Sequence, residues 1–591
     1  MTNTPQPPTL LDAPVRFTLL AILGVVGFAF GVVGLLETQA NNHSPSSLLN
    51  AIYHALQLFL FDSPFFEQPV PWALQLGRFL CGLTTIAAVI SVVLTMLSTS
   101  LRGVLWRLWG GHTLIIGPGR LASAVAKHAQ KNGKRVILAT HQAGANQWRS
   151  EVGPRLPMLV GKMDSSAFLK RCKASRAARI LIVGDDDAGN LAAAAALDTF
   201  HPSREQERKV LVSNAETRAS LDAGSSFLKN IEVVSFDLEE RGARKFFHDH
   251  PLDFLPLPKQ TFGKQANGAF LIILGWGSFA ENLLLQAGRI GHFASGKKTR
   301  VLLVATQAPE EFQAILQRWP AINQVLEVTC VESSTGSPDL RKLLAAEFAK
   351  SAKQALPVTV AVCEGEQITD RLGAALWVQG LIQQPCTHIR VIPNLGFCVE
   401  LGELVATDAF QKDHANLRAF VGPILEETLD LELSDSVDGL AKGLHEQYML
   451  SRGRTRLVDT DELFRPAEKP WRNLEEAYRA ASRALADHLP VKLRAIGCAV
   501  VKSKEGSGKE AIELSHEELE MLAQLEHQRW SAERLLTGWT FAPKRNDQLM
   551  HHNLLVSWEE LSEADRYLDR DVVKGASKAL APLGYRIVRN P

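Results

Sequence analysis

The stretch "HTLIIGPGRLASAVAKHAQKNGKRVILAT" (112–140) decides how much of this chain folds. An apolar run ends at Gly117-Pro118-Gly119, a segment with apolar residues at helical spacing follows, and a second apolar run closes at Thr140. Strands without a polar face are strands buried on both sides, as in a parallel sheet covered by helices. Downstream, "MLVGKMDSSAFLKR" (158–171) and "RILIVGDDDAGNLAAAAAL" (179–197) repeat the strand-then-helix order. The pattern returns at "AFLIILGWGSFAENLLLQAGRIGHFASGKKTRVLLVAT" (269–306), where Gly275-x-Gly277-x-x-Ala280 lines up with Gly117-x-Gly119-x-x-Ala122. Further strands are expected at 326–330, 358–363 and 388–392. The chain reads as an internal duplication of an α/β unit, each copy doubly wound.

Paired glycines at a strand–helix junction allow a tight turn and close approach of a phosphate to the helix N-terminus. This order of elements, with Asp187-x-x-Asn190, resembles the N-terminal part of an RCK domain, a Rossmann-like regulatory module of potassium channels. The resemblance implies a nucleotide or ion site at Gly117, Gly119, Ala122, Thr140, Asp187 and Asn190, and at Gly275, Gly277, Ala280 and Thr306. Both second strands end in threonine, where an NAD site has Asp or Glu for the ribose, and Lys162 replaces the family's Asp after Gly161. NAD by its usual contacts is therefore disfavoured. The competing reading is that these are scaffold domains whose glycines only close the turn.

Residues 17–36, "FTLLAILGVVGFAFGVVGLL", carry no charge and at ~1.5 Å per residue reach about 30 Å, the thickness of a bilayer's hydrocarbon core. Residues 79–97, "FLCGLTTIAAVISVVLTML", do the same. The first run is too long for a signal peptide and lacks a small-residue cleavage site. Residues 37–77 contain Glu37, Asp62 and Glu67 but no Lys or Arg, whereas Arg16, Arg102 and Arg107 flank the other ends. Both termini are thus expected in the cytoplasm of a bacterium, with the protein in its inner membrane and Arg78 at the outer interface.

Between these runs, "SSLLNAIYHALQLFLFDSPFF" (46–66) has an apolar core too short to span and fits a re-entrant or interfacial helix. The order resembles a two-helix potassium channel followed by RCK domains. Such channels carry a Thr-Val-Gly-Tyr-Gly-like filter after the short helix, but here "LFDSPFFEQPVP" (60–71) has no glycine. Selective potassium conduction is not expected. A different pore, a degenerate pore used as a sensor, and a simple anchor stay open.

The C-terminal part is a second duplication. "LAKGLHEQY" (440–448) and "LAQLEHQRW" (522–530) share Leu-Ala-x3-His-x2-aromatic; "WRNLEEA" (471–477) and "WEELSEA" (558–564) share Trp-x2-Leu-x-Glu-Ala; Gly497 and Gly584 follow at one offset. On a helix His445 shares a face with Tyr448, and His527 with Trp530, which Arg534 extends by a turn. Two such faces opposed would make a cleft for a planar base and a phosphate. The run "EHQRWSAERLLTGWTFAPKRNDQLMHHNLLVSWEEL" (526–561) resembles the ryanodine-receptor repeat (RyR domain), matching its pattern at Glu526, His527, Trp530, Gly538, Trp539, Pro543, Arg545, Asp547, His552 and Leu555, with Asn553 in place of the family's Pro. The resemblance implies a regulatory module for a small ligand, an adenine nucleotide among the candidates, at His445, Tyr448, Glu526, His527, Trp530, Arg534, Trp539, Arg545, Asp547 and His552. Against this stands plain core packing, above all for Trp539 and Trp558, and Arg545 with Asp547 could simply fix a turn.

With 64 Lys+Arg, 63 Asp+Glu and a net charge of +1, nothing marks a nucleic-acid partner. Seven scattered cysteines without a CxxC pair suggest thiols in a reducing compartment. No catalytic base, nucleophile elbow or metal-ligand set is found: His248-Asp249-His250 lacks further ligands, and Gly506-Ser507-Gly508-Lys509 is an incomplete phosphate loop. The expected fold is multidomain: two transmembrane helices with a short re-entrant, pore-type helix (1–105), two Rossmann-like doubly wound α/β domains (106–260, 261–425), and a mainly α-helical RyR tandem repeat (426–591). The expected function is a ligand-gated, channel-like membrane protein acting as a homo-oligomer, a tetramer by its pore plan, with the lipid bilayer and a nucleotide as partners. The alternatives are a membrane-anchored, nucleotide-sensing stress or phage-defence effector without selective conduction, and an NAD-dependent enzyme.

Overall fold

The structure is a computed structural model. It describes residues 13–41, 47–62, 70–131, 133–145, 156–184, 186–201, 206–213, 228, 230–235, 237–255, 268–365, 367–382, 386–396, 398–422, 438–451, 466–471, 474–503 and 512–589. Residues 63–69 of the glycine-free stretch, and the incomplete phosphate loop at 506–509, lie outside these.

The N-terminal unit is a helical hairpin with a wedge. Helix α1 (Ala13–Asn41) packs along α3 (Trp72–Trp109), and the short α2 (Leu48–Gln57), continued by a 3-10 turn at Leu58–Leu60, sits against both. Glycines set the spacing: a Cβ on Gly34 would lie 2.3 Å from the Leu74 nitrogen, and one on Gly77 would lie 2.6 Å from the Gly31 nitrogen. Such close backbone approach is the habit of helices that associate in lipid. The wedge inserts Ala51, Ala55 and Leu58 beside Leu35, Leu74 and Cys81. Ile22, Val25, Phe79, Leu83 and Val89 face outward. Windows Leu20–Ala40 and Trp72–Ile90 are long and apolar enough to cross a membrane, and only 28% of each is buried. Helix α3 outruns its apolar core, so Arg102 and Arg107 lie on it. It stops at Gly110 and Gly111, both at positive φ (70° and 71°), directly before the first sheet.

That sheet is all parallel, in the order β3-β2-β1-β4-β5-β6, from β1 (Thr113–Ile116), β2 (Val136–Thr140), β3 (Met158–Val160), β4 (Arg179–Ile182), β5 (Glu207–Val212) and β6 (Glu232–Ser235). Helices α4 (Gly119–Lys131) and α5 (Asp187–Asp198) cover opposite faces, with Val125 packed beside Ile115 and Ala194 beside Leu114. Helix α6 (Leu238–Asp249) then leaves this sheet and packs on the second unit.

The second sheet, β11-β10-β7-β8-β9, is built from β7 (Phe270–Leu274), β8 (Arg300–Ala305), β9 (Glu327–Glu332), β10 (Val358–Val362) and β11 (Ile389–Pro393), also all parallel. Helices α7 (Ser278–Ile290) and α8 (Ala308–Arg318) cover one face; α9 (Pro338–Gln354) and α10 (Ile368–Gln379) cover the other. Both sheets therefore reverse direction beside their first strand, β1 against β4 and β7 against β10. Here two glycines are obligatory. A Cβ on Gly117 (φ 147°) would lie 2.5 Å from the Gly184 nitrogen, and one on Gly275 (φ 87°) would lie 2.3 Å from the Glu364 Cα. Gly277 (φ 149°) faces open space.

We therefore expect Gly275→Ala to cost about 3 kcal/mol through a backbone clash added to strain, and Gly277→Ala to cost ~1 kcal/mol through strain alone. Thermal unfolding of the two variants beside the parent checks this; equal losses would contradict it.

Candidate functional site

The C-terminal module is two copies of one design. Copy one runs α11 (Gly439–Ser451), α12 (Glu476–Ala495), β12 (Cys498–Lys502); copy two runs α13 (His516–Leu536), α14 (Glu563–Leu580), β13 (Tyr585–Arg589). Gly497 and Gly584 (φ 66° and 76°) turn each copy into its strand, and β12 and β13 pair antiparallel. Equivalent bonds repeat in the two copies. His445 Nε2 meets the Lys469 carbonyl at 2.8 Å and His527 Nε2 the Val556 carbonyl at 2.9 Å, each two residues before the tryptophan. Arg479 donates to the Trp471 carbonyl and Arg566 to that of Trp558, at 3.2 and 3.1 Å. Arg483 binds Asp438 and Glu476, as Arg570 binds Glu520 and Glu563.

Between the copies lies a cleft of about 1030 Å³. Its walls include His445, Tyr448, Glu526, His527, Trp530, Arg534, Arg545 and His552, and they also include Tyr478 and Arg529, which sequence reasoning missed. Trp539 is buried behind this wall. Arg534 lies 5.6 Å from the Tyr478 ring and 5.0 Å from the Trp539 ring, so two aromatic faces hold its guanidinium. His527 stacks on Trp530 (5.8 Å, 26°), and His552 meets the Trp530 ring edge-on at 4.8 Å. Asp547 grips Arg545 through two bonds of 2.6 and 3.0 Å, and this pairing holds its carboxyl below the usual range. Burial, with Arg545 and Arg534 nearby, pushes the His552 imidazole down to about 4.

At the floor of the cleft is a nearly dry ionic cluster. Glu526 accepts from Lys492 of α12 and from Arg529 one turn along its own helix, and all three are nearly inaccessible. Burial would raise the Glu526 carboxyl, but Arg529 and Lys492 outweigh it and keep the group ionised. His527 Nδ1 lies 3.4 Å from Asp569. Burial disfavours its cation, yet the Asp569 carboxylate and the Val556 carbonyl prevail and its pKa is raised.

Comparison with known proteins gives the modules their names. Residues 113–225 match the TrkA-N domain model, and residues 511–589 match the RyR domain model. The chain carries a TrkA-N, RCK-like domain and a RyR domain. Among solved structures, GsuK bound to ADP is 13% identical, over 72% of this chain and 97% of that one, with a TM-score of 0.35. The GsuK channel bound to NAD is 11% identical, over 72% and 84%, with a TM-score of 0.36. A dipicolinate synthase from Bacillus halodurans is 10% identical, over 56% and 98%, with a TM-score of 0.21. None of the curated proteins compared matches.

In the TrkA-N domain Asp187 and Asn190 bind the protein itself. Asn190 accepts from the Gly184 nitrogen at 2.7 Å and donates to the Gly184 and Leu211 carbonyls; Asp187 accepts from the nitrogen and hydroxyl of Ser213. Thr140 is fully buried at the end of β2, and Ala122 and Ala280 are buried in the first turns of α4 and α7. Gly119 opens α4, and Thr306 lies exposed one residue beyond β8. At the edge of the second unit, Asp249 pairs with Lys245 and His250 meets the Ala419 carbonyl, so the His248-Asp249-His250 run does not converge.

The C-terminal module is bonded to the second α/β unit. Arg244 of α6 grips Asp487 of α12 through bonds of 2.7 and 2.9 Å, and Gln286 of α7 adds a third at 2.9 Å. Arg494 holds Asp253 at 2.9 and 2.6 Å. His488 Nε2 meets the His292 carbonyl at 3.0 Å, and Val491, Ala532 and Leu536 join the core of the second sheet.

Lys492→Met removes one partner of a buried carboxylate and should cost about 3–5 kcal/mol, with Lys492→Met/Glu526→Gln costing less than the two single losses summed. Thermal unfolding of the full-length protein measures both, and strict additivity would contradict the clamp. His527 makes a separate prediction. Because its pKa is raised in the fold, its stabilisation is complete below about pH 6.5, the ordinary imidazole value, and fades as pH rises through the elevated value. His527→Gln should flatten the pH dependence of the melting temperature in that window, and an unchanged slope would disprove the assignment.

Proposed function

We propose that this protein is a ligand-gated, channel-like membrane protein whose RyR cleft takes a nucleotide. The observation that carries this reading is the cleft between the two copies, where half-buried Trp530 and Tyr448 offer flat rings and Arg534 is held between aromatic faces beside it. A base stacks on rings and a phosphate pairs with a guanidinium, so an adenine nucleotide suits the wall; NAD is disfavoured at the two α/β units, where Thr140 and Thr306 stand in place of the ribose-binding acid. In this reading His445, Glu526, His527, Trp539, Arg545, Asp547 and His552 shape and orient that wall; no catalytic role is assigned.

Ligand free energy reaches the membrane only if it favours one arrangement of the elements between. The bonds from α12 to α6 and α7 make the RyR module and the second α/β unit move together, and Gly110-Gly111 supply a hinge where α3 meets β1. A pore of this plan needs several subunits about an axis, and a tetramer is the proposed assembly, in a bacterial inner membrane with both termini cytoplasmic. The glycine-free stretch at 60–71 favours a second reading, a membrane-anchored nucleotide-sensing stress or defence effector without selective conduction.

A nucleotide at 100 times its dissociation constant should stabilise the protein by ~2.7 kcal/mol. In a thermal-shift screen that gain should vanish in Trp530→Ala and Arg534→Ala; equal shifts in parent and variants would place the site elsewhere. Ion flux through proteoliposomes, with and without the nucleotide, separates the channel from the effector.

A further inference from the structure

Helix α2 carries three kinds of face. Ala51 and Ala55, with Leu58 beyond them, are buried against α1 and α3, whereas Leu49, Tyr53 and Leu56 are exposed and apolar. Along the border between these faces run Asn50, His54 and Gln57, at i, i+4 and i+7, within one narrow arc of the helix. His54 Nδ1 and Gln57 Oε1 are 2.7 Å apart, and Asn50 is exposed. Among the described residues, the other outward side chains of this unit are mostly apolar, with Glu37, Asp62 and Gln75 as polar exceptions toward its ends.

Hydrocarbon offers amides and an imidazole no hydrogen-bond partner, so polar side chains at membrane depth face protein or water. Accepting the membrane reading above, we propose that Asn50, His54 and Gln57 line a water-filled path for small hydrated cations. A ring of backbone carbonyls can replace an ion's hydration shell, but amide and imidazole side chains on a helix face exchange hydrogen bonds with that shell and leave it in place. The path therefore discriminates weakly between potassium and sodium, in keeping with the lack of glycine at 60–71. Charge sign comes from the approach: residues 37–77 hold Glu37, Asp62 and Glu67 and no Lys or Arg, so the outer mouth concentrates cations.

The test is thiol accessibility in full-length protein reconstituted in liposomes. Asn50→Cys, His54→Cys and Gln57→Cys are compared with Leu49→Cys, Tyr53→Cys and Leu56→Cys, using a charged, water-soluble methanethiosulfonate. Rates are taken as the increment over the unsubstituted protein, whose membrane-unit thiol, Cys81, is buried. Asn50 is exposed, so its variant reports even if the His54 or Gln57 variant misfolds. Labelling at least tenfold faster at the polar positions supports the path. Slow labelling at all six overturns it while leaving the membrane reading intact; fast labelling at all six overturns both. In flux measurements Asn50→Asp should raise the cation-to-anion permeability ratio and Asn50→Lys should lower it, and unchanged ratios would overturn the proposal.

Discussion

A carboxylate cut off from water organises the C-terminal half of this protein. Removing Glu526 from solvent costs several kcal/mol unless cations and hydrogen bonds replace its hydration, and Lys492 and Arg529 do so. The arrangement tolerates little play. It fixes α13 against α12, and therefore fixes His527 and Trp530, the next residues along the same helix, relative to Tyr478 on the other. A cleft wall set by such a cluster is preorganised, so a ligand spends little free energy ordering it.

The same two helices also belong to the core of the second sheet through Val491, Ala532 and Leu536. A packed interior shifts between discrete arrangements more readily than it deforms smoothly, so displacement of α13 by a ligand would be felt at α7. Close backbone contact plays the corresponding part elsewhere. Gly117 and Gly275 let neighbouring strands touch where each sheet reverses, and Gly31, Gly34 and Gly77 let α1 and α3 meet without intervening side chains. In all three places the geometry is held by what has no room to move.

Much of this was legible from periodicity. The α/β duplication announced itself because strands buried on both faces are apolar throughout, and the tandem copies did so because the motifs at His445 and His527 match and Trp471/Trp558 and Gly497/Gly584 recur at one offset. Arg479/Arg566 and Arg483/Arg570 obey the same offset and were readable by extending that comparison. Lys492, Arg529 and Asp569 were not. Their counterparts in the other copy are chemically different, and a buried lysine looks in sequence like any surface lysine. Asp187 and Asn190 illustrate the converse: a pattern placed them at a ligand site, but their polar atoms bond to Ser213, Gly184 and Leu211.

The sequence by itself determined which elements form and how often they repeat, since strand and helix periodicity, turn glycines and the length of the apolar runs are local properties. Only the tertiary structure decided which charges are dry, which polar groups bond to the protein's own backbone, and that α6 leaves the first sheet to bind α7 and α12. Desolvation and pairing depend on neighbours far apart in the chain. Lys492 and Glu526 become partners only when two helices cross, and no local pattern records where they do.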